Sequence, residues 1–355
     1  MQRKIVFLHP LGPHSSPLTS QTLFGATCWA WAMLGEDVGK HLGAFADGPR
    51  FAFSNTFPFV RRTADSPPVL LLPKPPLRPP IAIVNQLAGQ GDAQQLIEGI
   101  DLAKRMQQAR YVSSGVAAKL RAGEWNAADL IREVYHGRVH LVQGMLLLPA
   151  EAQAVWSKND QGQGKNKLWE RSIVQRNSVD RVAGATAEGL LFQEEQTFYC
   201  PGRAGLWAAL WVDDTLWPSI QAALRFIADT GLGGERAVGK GHFRLEIQEW
   251  GAHFPPSKDG AGRFMNLSEY IPESDETRPL AYELRHIRQK TESRYPGGSQ
   301  RVYVGMMQAY QPGGVFETHG PGGELYGRLA KLAQLKDRSV YYSGVTIPLW
   351  GQWEV

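Results

Sequence analysis

The sequence has few cysteines and no long apolar run. Cys28 and Cys200 are its only cysteines, too few for a disulfide framework or a four-cysteine zinc site. No stretch of about eighteen apolar residues is present, so we expect no membrane-spanning helix. The first apolar run ends at Leu8, which is too short for a secretory signal peptide, and we therefore expect a cytoplasmic protein.

A nuclease would need an acid–base pair or a metal-binding carboxylate, and acidic residues are absent from a long segment near the start of the sequence. No Asp or Glu lies between Lys4 and Glu36, and His14 is the only titrating group in the loop that follows the first strand. His136 and His140 have the spacing of two zinc ligands on a helix, but their segment is typical of a strand and no third ligand is evident. We therefore expect no catalytic centre, no metal and no cofactor.

The remaining composition is that of a folded protein of one large or two ordinary domains. Apolar residues make up 43% of the chain and charged residues 20%, which excludes a disordered or fibrous protein. Lys and Arg number 38 against 34 Asp and Glu, giving a formal charge of +4. This mild basic excess is compatible with a polyanionic partner without requiring one.

The element pattern predicts an α+β fold built on a ferredoxin-like, RRM-like βαββαβ domain over residues 1–250. The chain begins with a strand at Ile5–Leu8 and a helix that Thr19 or Ser20 can cap. A long insertion over 36–168 comes next. The later elements are strands within 170–181, 190–200 and 205–214, a helix from Trp217 to Gly231, and a strand within 242–250.

Three other segments have a distinct composition. Half of residues 67–80 are proline, so we expect an extended linker there, neither a central strand nor a helix. An amphipathic helix is predicted from Asp92, and a lysine-rich loop over 157–168. Trp156 and Trp169 flank this loop and either stack on bases or anchor the loop. Residues 251–355 are expected to form a second, smaller α/β sheet domain with a helix over 324–335.

A glycine-rich segment, GLGGERAVGKG at 231–241, nearly matches a phosphate-binding P-loop. Position 241 is glycine and lacks the hydroxyl that would hold Mg²⁺, and the segment connects a helix to a strand, the reverse of a P-loop. Two readings remain. The glycines form a tight connection only, or they let backbone N–H groups, Arg236 and Lys240 approach phosphates.

A second polar segment, QRNSVDR at 175–181, is open to two interpretations as well. It is the solvated edge of a strand, or it contacts the backbone and bases of single-stranded RNA through Arg176, Asn177 and Arg181. The hairpin tip that follows it would then extend farther along the RNA.

These segments resemble the RAMP superfamily of CRISPR-associated proteins, ferredoxin-like RNA binders with a glycine-rich loop between their last helix and last strand. More narrowly, the chain is similar to the fourth-subunit family of type III-A Csm complexes. The similarity extends over residues 1–275, in the family's order, through TSQTLFGATCWAW, FAFSNTFPF, RNSVDRVAGATAEGLLFQEE, GLGGERAVGKG and NLSEYIP.

The resemblance implies a non-catalytic subunit that holds the repeat-derived 5′ handle of CRISPR RNA and contacts the guide–target duplex. Its implied protein partners are a large polymerase-like subunit and a backbone RAMP subunit. A thumb-like β-hairpin is implied at about residues 182–197. The implied RNA-binding residues are His14, Ser20, Thr22, Arg176, Asn177, Asp180, Arg181, Gly233, Gly234, Arg236, Gly239, Lys240 and Gly241.

One position departs from the family's pattern. Gln21 stands where the family often has Asp, and related backbone subunits place their cleaving Asp near that point. This departure favours a non-catalytic subunit. The alternative from another class is a metal-independent RAMP endoribonuclease that processes precursor CRISPR RNA with His14 as its general acid or base.

Overall fold

The computed structural model describes residues 1–15, 17–78, 82–83, 93–156, 167–177, 179–180, 185–186, 192–254, 262–290, 303–320, 322–335 and 338–355. These residues form a mixed α/β structure. Its helices are α1 Ser20–Met33, α2 Val38–Gly43, α3 Ala93–Gln108, α4 Ser114–Arg121, α5 Ala127–Tyr135, α6 Pro149–Val155 and α7 Trp217–Thr230. None of the helices described is long and apolar enough to cross a membrane.

The strands are β1 Gln2–Pro10, β2 Phe51–Phe53, β3 Phe57–Val60, β4 Val69–Pro73, β5 Tyr111–Ser113, β6 His140–Val142, β7 Met145–Leu147, β8 Trp169–Arg176, β9 Val179–Asp180, β10 Ala185–Thr186, β11 Phe192–Tyr199, β12 Ala204–Val212, β13 Phe243–Glu249, β14 Arg263–Asn266, β15 Thr277–Ala281, β16 Leu284–Lys290, β17 Tyr303–Tyr310, β18 Val315–Thr318, β19 Leu329–Leu335, β20 Arg338–Ser343 and β21 Pro348–Gly351.

Strand β12 lies inside the largest sheet. All nine of its residues are buried, as its unbroken apolar sequence predicts for a strand covered on both faces. It pairs antiparallel with β1 on one side and with β2 and β3 on the other. The sheet has nine strands in the order β13-β1-β12-β3-β4-β5-β7-β6, with β2 attached to β12.

Helices α1 and α7 pack together on one face of this sheet. The Thr19 side chain caps α1 by accepting a hydrogen bond from the Thr22 N–H at 3.4 Å, which confirms the predicted cap. Helix α7 has Pro218 in its first turn and Gly231 at its C-cap, with φ 84°, and both predicted ends are confirmed.

The opposite face of the sheet is covered by the last third of the chain together with apolar residues of α3, α4 and α5. One continuous core cluster contains Phe7 and Trp207 from the sheet together with Met265, Ile347 and Trp353. The predicted domain boundary at 250/251 stays a prediction, but apolar residues from both of its sides pack in this single core. A four-stranded sheet in the order β15-β18-β14-β21 and the two-stranded ribbons β16–β17 and β19–β20 complete this region.

The expectation of a linker over residues 67–80 is wrong, because this segment contributes a central strand. β4 lies between β3 and β5, and all of Val69–Pro73 is buried. The prolines fall before the strand, at its last residue and after it, so the N–H groups from Val69 to Leu72 remain available for pairing. The Trp207 Nε1 also donates a hydrogen bond to the Leu71 carbonyl at 3.0 Å.

The insertion predicted over residues 36–168 stays a prediction, but this segment does not form a separate sheet. It supplies strands β2 to β7, which continue the nine-stranded sheet from β12 to its far edge. The predicted strands within 170–181 and 190–200 are confirmed as β8 and β11, but they pair with each other in a separate two-stranded sheet. The strand beside β12 is therefore β3 rather than β8, because the buried FPFV segment fits the core and the polar β8 does not.

The predicted helix over 324–335 is wrong. Leu329–Leu335 is strand β19, which pairs antiparallel with β20. Its Ala, Lys, Leu and Gln residues favour a helix when considered locally. Pairing with the aromatic and β-branched residues of β20 overrides this preference, and Tyr342 lies opposite Ala330 in the core. The predicted helix from Asp92 is confirmed as α3, whereas residues 157–166 of the lysine-rich loop lie outside the described residues.

Replacement of Leu71 tests the central position of β4. Leu71→Ala is expected to lower the free energy of unfolding by about 2–5 kcal/mol, because a fully buried leucine leaves a cavity. Leu11→Ala is the control, since Leu11 is 73% exposed and its loss should change stability by no more than about 0.5 kcal/mol. Chemical denaturation of both variants measures the difference, and equal, small effects would contradict the placement of β4.

Candidate nucleic-acid interface

Two loops that are far apart in the sequence meet at one end of the large sheet. β1 and β13 are antiparallel neighbours with Pro10 opposite Phe243, so the loop after β1 lies beside the loop before β13. The Leu11 N–H donates to the His242 carbonyl at 2.9 Å, and the Gly241 N–H donates to the Pro13 carbonyl at 3.0 Å. The glycine-rich loop and the loop that carries His14 thus form one surface.

Glycine is required at position 241 by close backbone packing. Gly241 has φ 68°, and a Cβ added there would lie 2.0 Å from the Leu232 carbonyl oxygen. The Leu232 N–H in turn donates to the Gly241 carbonyl at 2.8 Å. Gly239 differs, because a Cβ there would meet no atom within 4 Å although its φ of 85° favours glycine. The loop therefore contains one glycine that close packing requires, Gly241, and one whose backbone has free space beside it, Gly239.

Lys240 is buried and paired with a carboxylate of the β8–β11 hairpin. Its side chain is 5% exposed, and its Nζ lies 2.5 Å from Glu194 Oε2. Burial raises the pKa of Glu194, but the hydrogen bond and charge of Lys240, assisted by Gln196 and Arg176, outweigh this and hold the pKa below its ordinary value. The predicted phosphate-binding cation is thus engaged inside the protein.

Arg176 joins the same hairpin to the glycine-rich loop. Its Nε lies 3.3 Å from Glu194 Oε2, and its NH1 donates to Glu235 Oε2 at 2.9 Å. Arg236 is also engaged, because its guanidinium stacks over the Trp29 ring at 4.6 Å. Arg176 and Arg236 are both half-buried. The hairpin and the loop are therefore connected through an ion-pair network centred on Glu194.

The predicted residues before and within α1 lie partly inside the protein. His14 is 6% exposed; its Nε2 lies 3.2 Å from the Tyr199 hydroxyl, and its ring stacks on Tyr199. Ser20 is buried, and its N–H donates to Asn55 Oδ1 at 2.8 Å. Thr22 completes the cap of α1 with Thr19. His14 thus lies buried just under the surface formed by the two loops. Ser20 and Thr22 make hydrogen bonds at the first turn of α1.

The rest of the predicted set lies around the hairpin and the loop. Asn177 is exposed at the end of β8, Gly233 is half-buried, and Gly234 is exposed within the loop. Asp180 is placed by its backbone in β9, and Arg181 lies outside the described residues. Of the predicted thumb at 182–197, the structure describes β10 and residues 192–197 of β11; the rest lies outside the described residues.

Sequence reasoning missed three residues of this network. Glu194, Tyr199 and Glu235 hold the predicted side chains in place. Period-two alternation puts Glu194 on the same face of β11 as the buried Gln196, which is the one available signal that it faces inward. Gln21, noted only for replacing an Asp, accepts a hydrogen bond from the Ser343 N–H at 2.8 Å and ties α1 to β20.

No protein-family model matches the chain, and no curated protein sequence matches it. Solved structures do. A chain of the Csm3–Csm4 subcomplex of the type III-A CRISPR-Cas interference complex matches with a TM-score of 0.63 and 16% identity, over 98% of each chain. A chain of the Csm1–Csm4 cassette in complex with pppApA matches with a TM-score of 0.55 and 19% identity, over 100% of this chain and 99% of that one.

Csm4 is the subunit that both assemblies share. The protein has a Csm4-like fold. A third match, to the Csm1–Csm4 cassette in complex with cA4, has a TM-score of 0.54 and 18% identity over the full length of both chains. The matches cover 98–100% of this chain and of each solved chain. The similarity therefore extends over the large sheet, the hairpin and the C-terminal strands together.

Variants of Lys240 and Glu194 separate a structural from an RNA-contacting role. Lys240→Met removes the closest partner of the Glu194 carboxylate and leaves only Arg176 beside it, so it should lower the free energy of unfolding by about 1–3 kcal/mol. The double variant Lys240→Met/Glu194→Gln removes both charges and should recover most of that loss. Thermal denaturation of the two variants measures this. A double variant no more stable than the single one would contradict the pairing.

Proposed function

We propose that this protein is a non-catalytic, RNA-binding subunit of a type III-A CRISPR (Csm) effector complex. In this proposal it caps one end of the complex and holds the repeat-derived 5′ handle of CRISPR RNA. The observation that carries the proposal is the full-length Csm4-like fold. The meeting of the His14 loop, the glycine-rich loop and the hairpin base at one end of the sheet supports it.

The surface suits a single-stranded RNA. Gly234 is exposed and Gly239 has open space where a side chain would be, so a sugar–phosphate chain can approach the backbone there. Asn177 is exposed at the end of β8, and a side-chain amide is of the chemical type that pairs with base edges. A net charge of +4 suits this role, because the RNA would be shared with neighbouring subunits and cations are needed only locally.

We further propose that the core of the large sheet is a ferredoxin-like unit in which β3 replaces the strand expected at β8. The chain order is β1, α1, β3, β12, α7, β13, and the spatial order is β13-β1-β12-β3. This places the loops after β1 and before β13 side by side. The glycine-rich loop then occupies the position between the last helix and the last strand of the unit.

The partners we propose are a large polymerase-like subunit and a backbone RAMP subunit, with this chain bridging them. The similar chains come from assemblies of Csm4 with Csm1 or with Csm3. Helix α3 offers one candidate contact, because Ile97 and Ile100 lie one turn apart and are 66% and 41% exposed. The β8–β11 hairpin is proposed to press on the duplex of guide and target RNA.

A synthetic RNA that ends in the 5′ handle tests the proposal. The purified protein, alone and with its co-expressed neighbour subunits, is mixed with this RNA and with an RNA of scrambled handle, and both binding and cleavage are measured. We expect handle-dependent binding with the RNA left intact.

The part-buried hydrogen bond of His14 to Tyr199 supports a structural rather than an acid–base role for His14.

Two results would contradict the proposal. Equal affinity for both RNAs, alone and in the complex, would remove the handle-binding role. Cleavage that is lost in His14→Gln but kept in the folded control variant His286→Gln would make the protein a RAMP endoribonuclease; His286 lies in β16.

Glu235 is predicted to compete with RNA for Arg176. Its carboxylate holds Arg176 NH1 at 2.9 Å and is 45% exposed, so an approaching phosphate must displace it. Glu235→Gln keeps the side-chain size and removes the competing charge, and we expect handle RNA to bind roughly two- to fivefold more tightly at low salt. Glu317→Gln, which releases Arg278 in the four-stranded sheet, is the control and should leave affinity unchanged. Weaker binding by Glu235→Gln would show that Glu235 positions Arg176 for RNA instead of blocking it.

A further inference from the structure

A cleft lies between the start of β8 and the loop that carries His14. It consists of two adjoining cavities of about 260 and 440 Å³, which share Tyr111, Trp169 and Arg171 in their walls. We refer to it as the aromatic cleft. Its combined size is that of a small-ligand pocket. Of the RNA-binding residues that the family resemblance implies, only His14 lines it.

The walls of the aromatic cleft present two pairs of rings. His14 stacks on Tyr199 with ring centroids 5.6 Å apart, and Tyr111 meets Trp169 edge to face at 6.2 Å. Burial raises the pKa of Tyr111 and of Tyr199, so both hydroxyls stay protonated. Aromatic rings of this kind bind a flat, weakly polar group by stacking.

Asn55 gives the cleft directed hydrogen-bond donors. Its Oδ1 accepts the Ser20 N–H at 2.8 Å, which fixes the orientation of the amide. The Nδ2 group therefore faces away from Ser20, and Asn55 lines the smaller cavity. Among the described residues no acceptor pairs with this Nδ2 group. A ring with an acceptor on its edge would satisfy it.

Cations line the larger cavity. Arg110, Lys167 and Arg171 all contribute to its wall. Lys167 pairs with Glu170 at 3.1 Å and Arg171 with Glu195 at 3.3 Å. Arg110 is exposed, and no acidic side chain in the described part of the chain pairs with it. An anion attached to the bound ring would therefore meet Arg110 first.

We propose that the aromatic cleft binds one unstacked RNA base between its rings, with Asn55 donating to the base edge and Arg110 contacting an adjoining phosphate. This inference rests on the proposed RNA-binding function and adds a specific base-binding site to it. Trp169 then has the base-stacking role, the first of the two roles open to it from the sequence.

The experiment replaces each base of the handle in turn by an abasic site and measures RNA binding to the protein in complex with its neighbours. We expect one position at which loss of the base weakens binding roughly fivefold to a hundredfold. In Trp169→Ala the penalty at that position should disappear while the other positions are unchanged, and Trp169→Phe should restore it. 2-Aminopurine at that position should be quenched on binding by the wild type.

Two further variants test the polar contacts. Asn55→Asp keeps the acceptor for Ser20 but removes the donors, and should weaken binding more when the base is present than when that position is abasic. Arg110→Ala should flatten the dependence of log affinity on log salt by roughly one unit, and Arg278→Ala is the control that should not.

The outcomes separate this inference from the function on which it rests. No binding of handle RNA by the wild type would overturn both. Normal handle binding with an abasic profile that Trp169→Ala does not alter would overturn the aromatic cleft alone. Saturable binding of free AMP, GMP, CMP or UMP in the cleft at micromolar concentration, with a flat abasic profile, would reassign it to a free nucleotide.

Discussion

The buried carboxylate of Glu194 holds the candidate interface together. It accepts Lys240 from the glycine-rich loop and Arg176 from its own hairpin, and Arg176 reaches back to Glu235 of the loop. A charge with so little exposure is stable only beside opposite charges, and both cations contact its Oε2 atom. These ion pairs fix the positions of the loop and the hairpin base relative to each other. The exposed backbone at Gly239 and the exposed Asn177 therefore lie on one surface.

The large sheet determines where the glycine-rich loop and the loop that carries His14 lie. β12 is buried along its whole length and fixes β1 on one side and β3 on the other. β1 in turn fixes β13, so the loops at their adjoining ends must meet. α1 and α7 cover one face of the sheet, and residues from 265 to 353 cover the other. Because core clusters cover both faces of the sheet, the RNA-binding surface proposed here lies on the loops at the end of the sheet and on the hairpin.

Local signals in the sequence were sufficient where the structure depends on local chemistry. The ends of α7 follow from Pro218 and Gly231, and the cap of α1 from Thr19. They were insufficient where distant pairing decides the structure. β4 forms in a proline-rich segment because none of its first four residues is proline, so their N–H groups can pair. β19 forms because it pairs with β20. The ion pair of Lys240 joins residues 46 positions apart, and no local pattern predicts such a partner.

The pairing of β1 also governs how the chain folds during synthesis. Its two neighbours, β12 and β13, begin at Ala204 and Phe243, so β1 leaves the ribosome long before either is made. At about 5–20 residues per second the delay is roughly ten to forty seconds. For that time four consecutive apolar residues, Ile5–Leu8, have no sheet to enter. Until β12 emerges, the nascent chain therefore exposes an apolar strand-forming segment whose N–H and C=O groups have no strand partner.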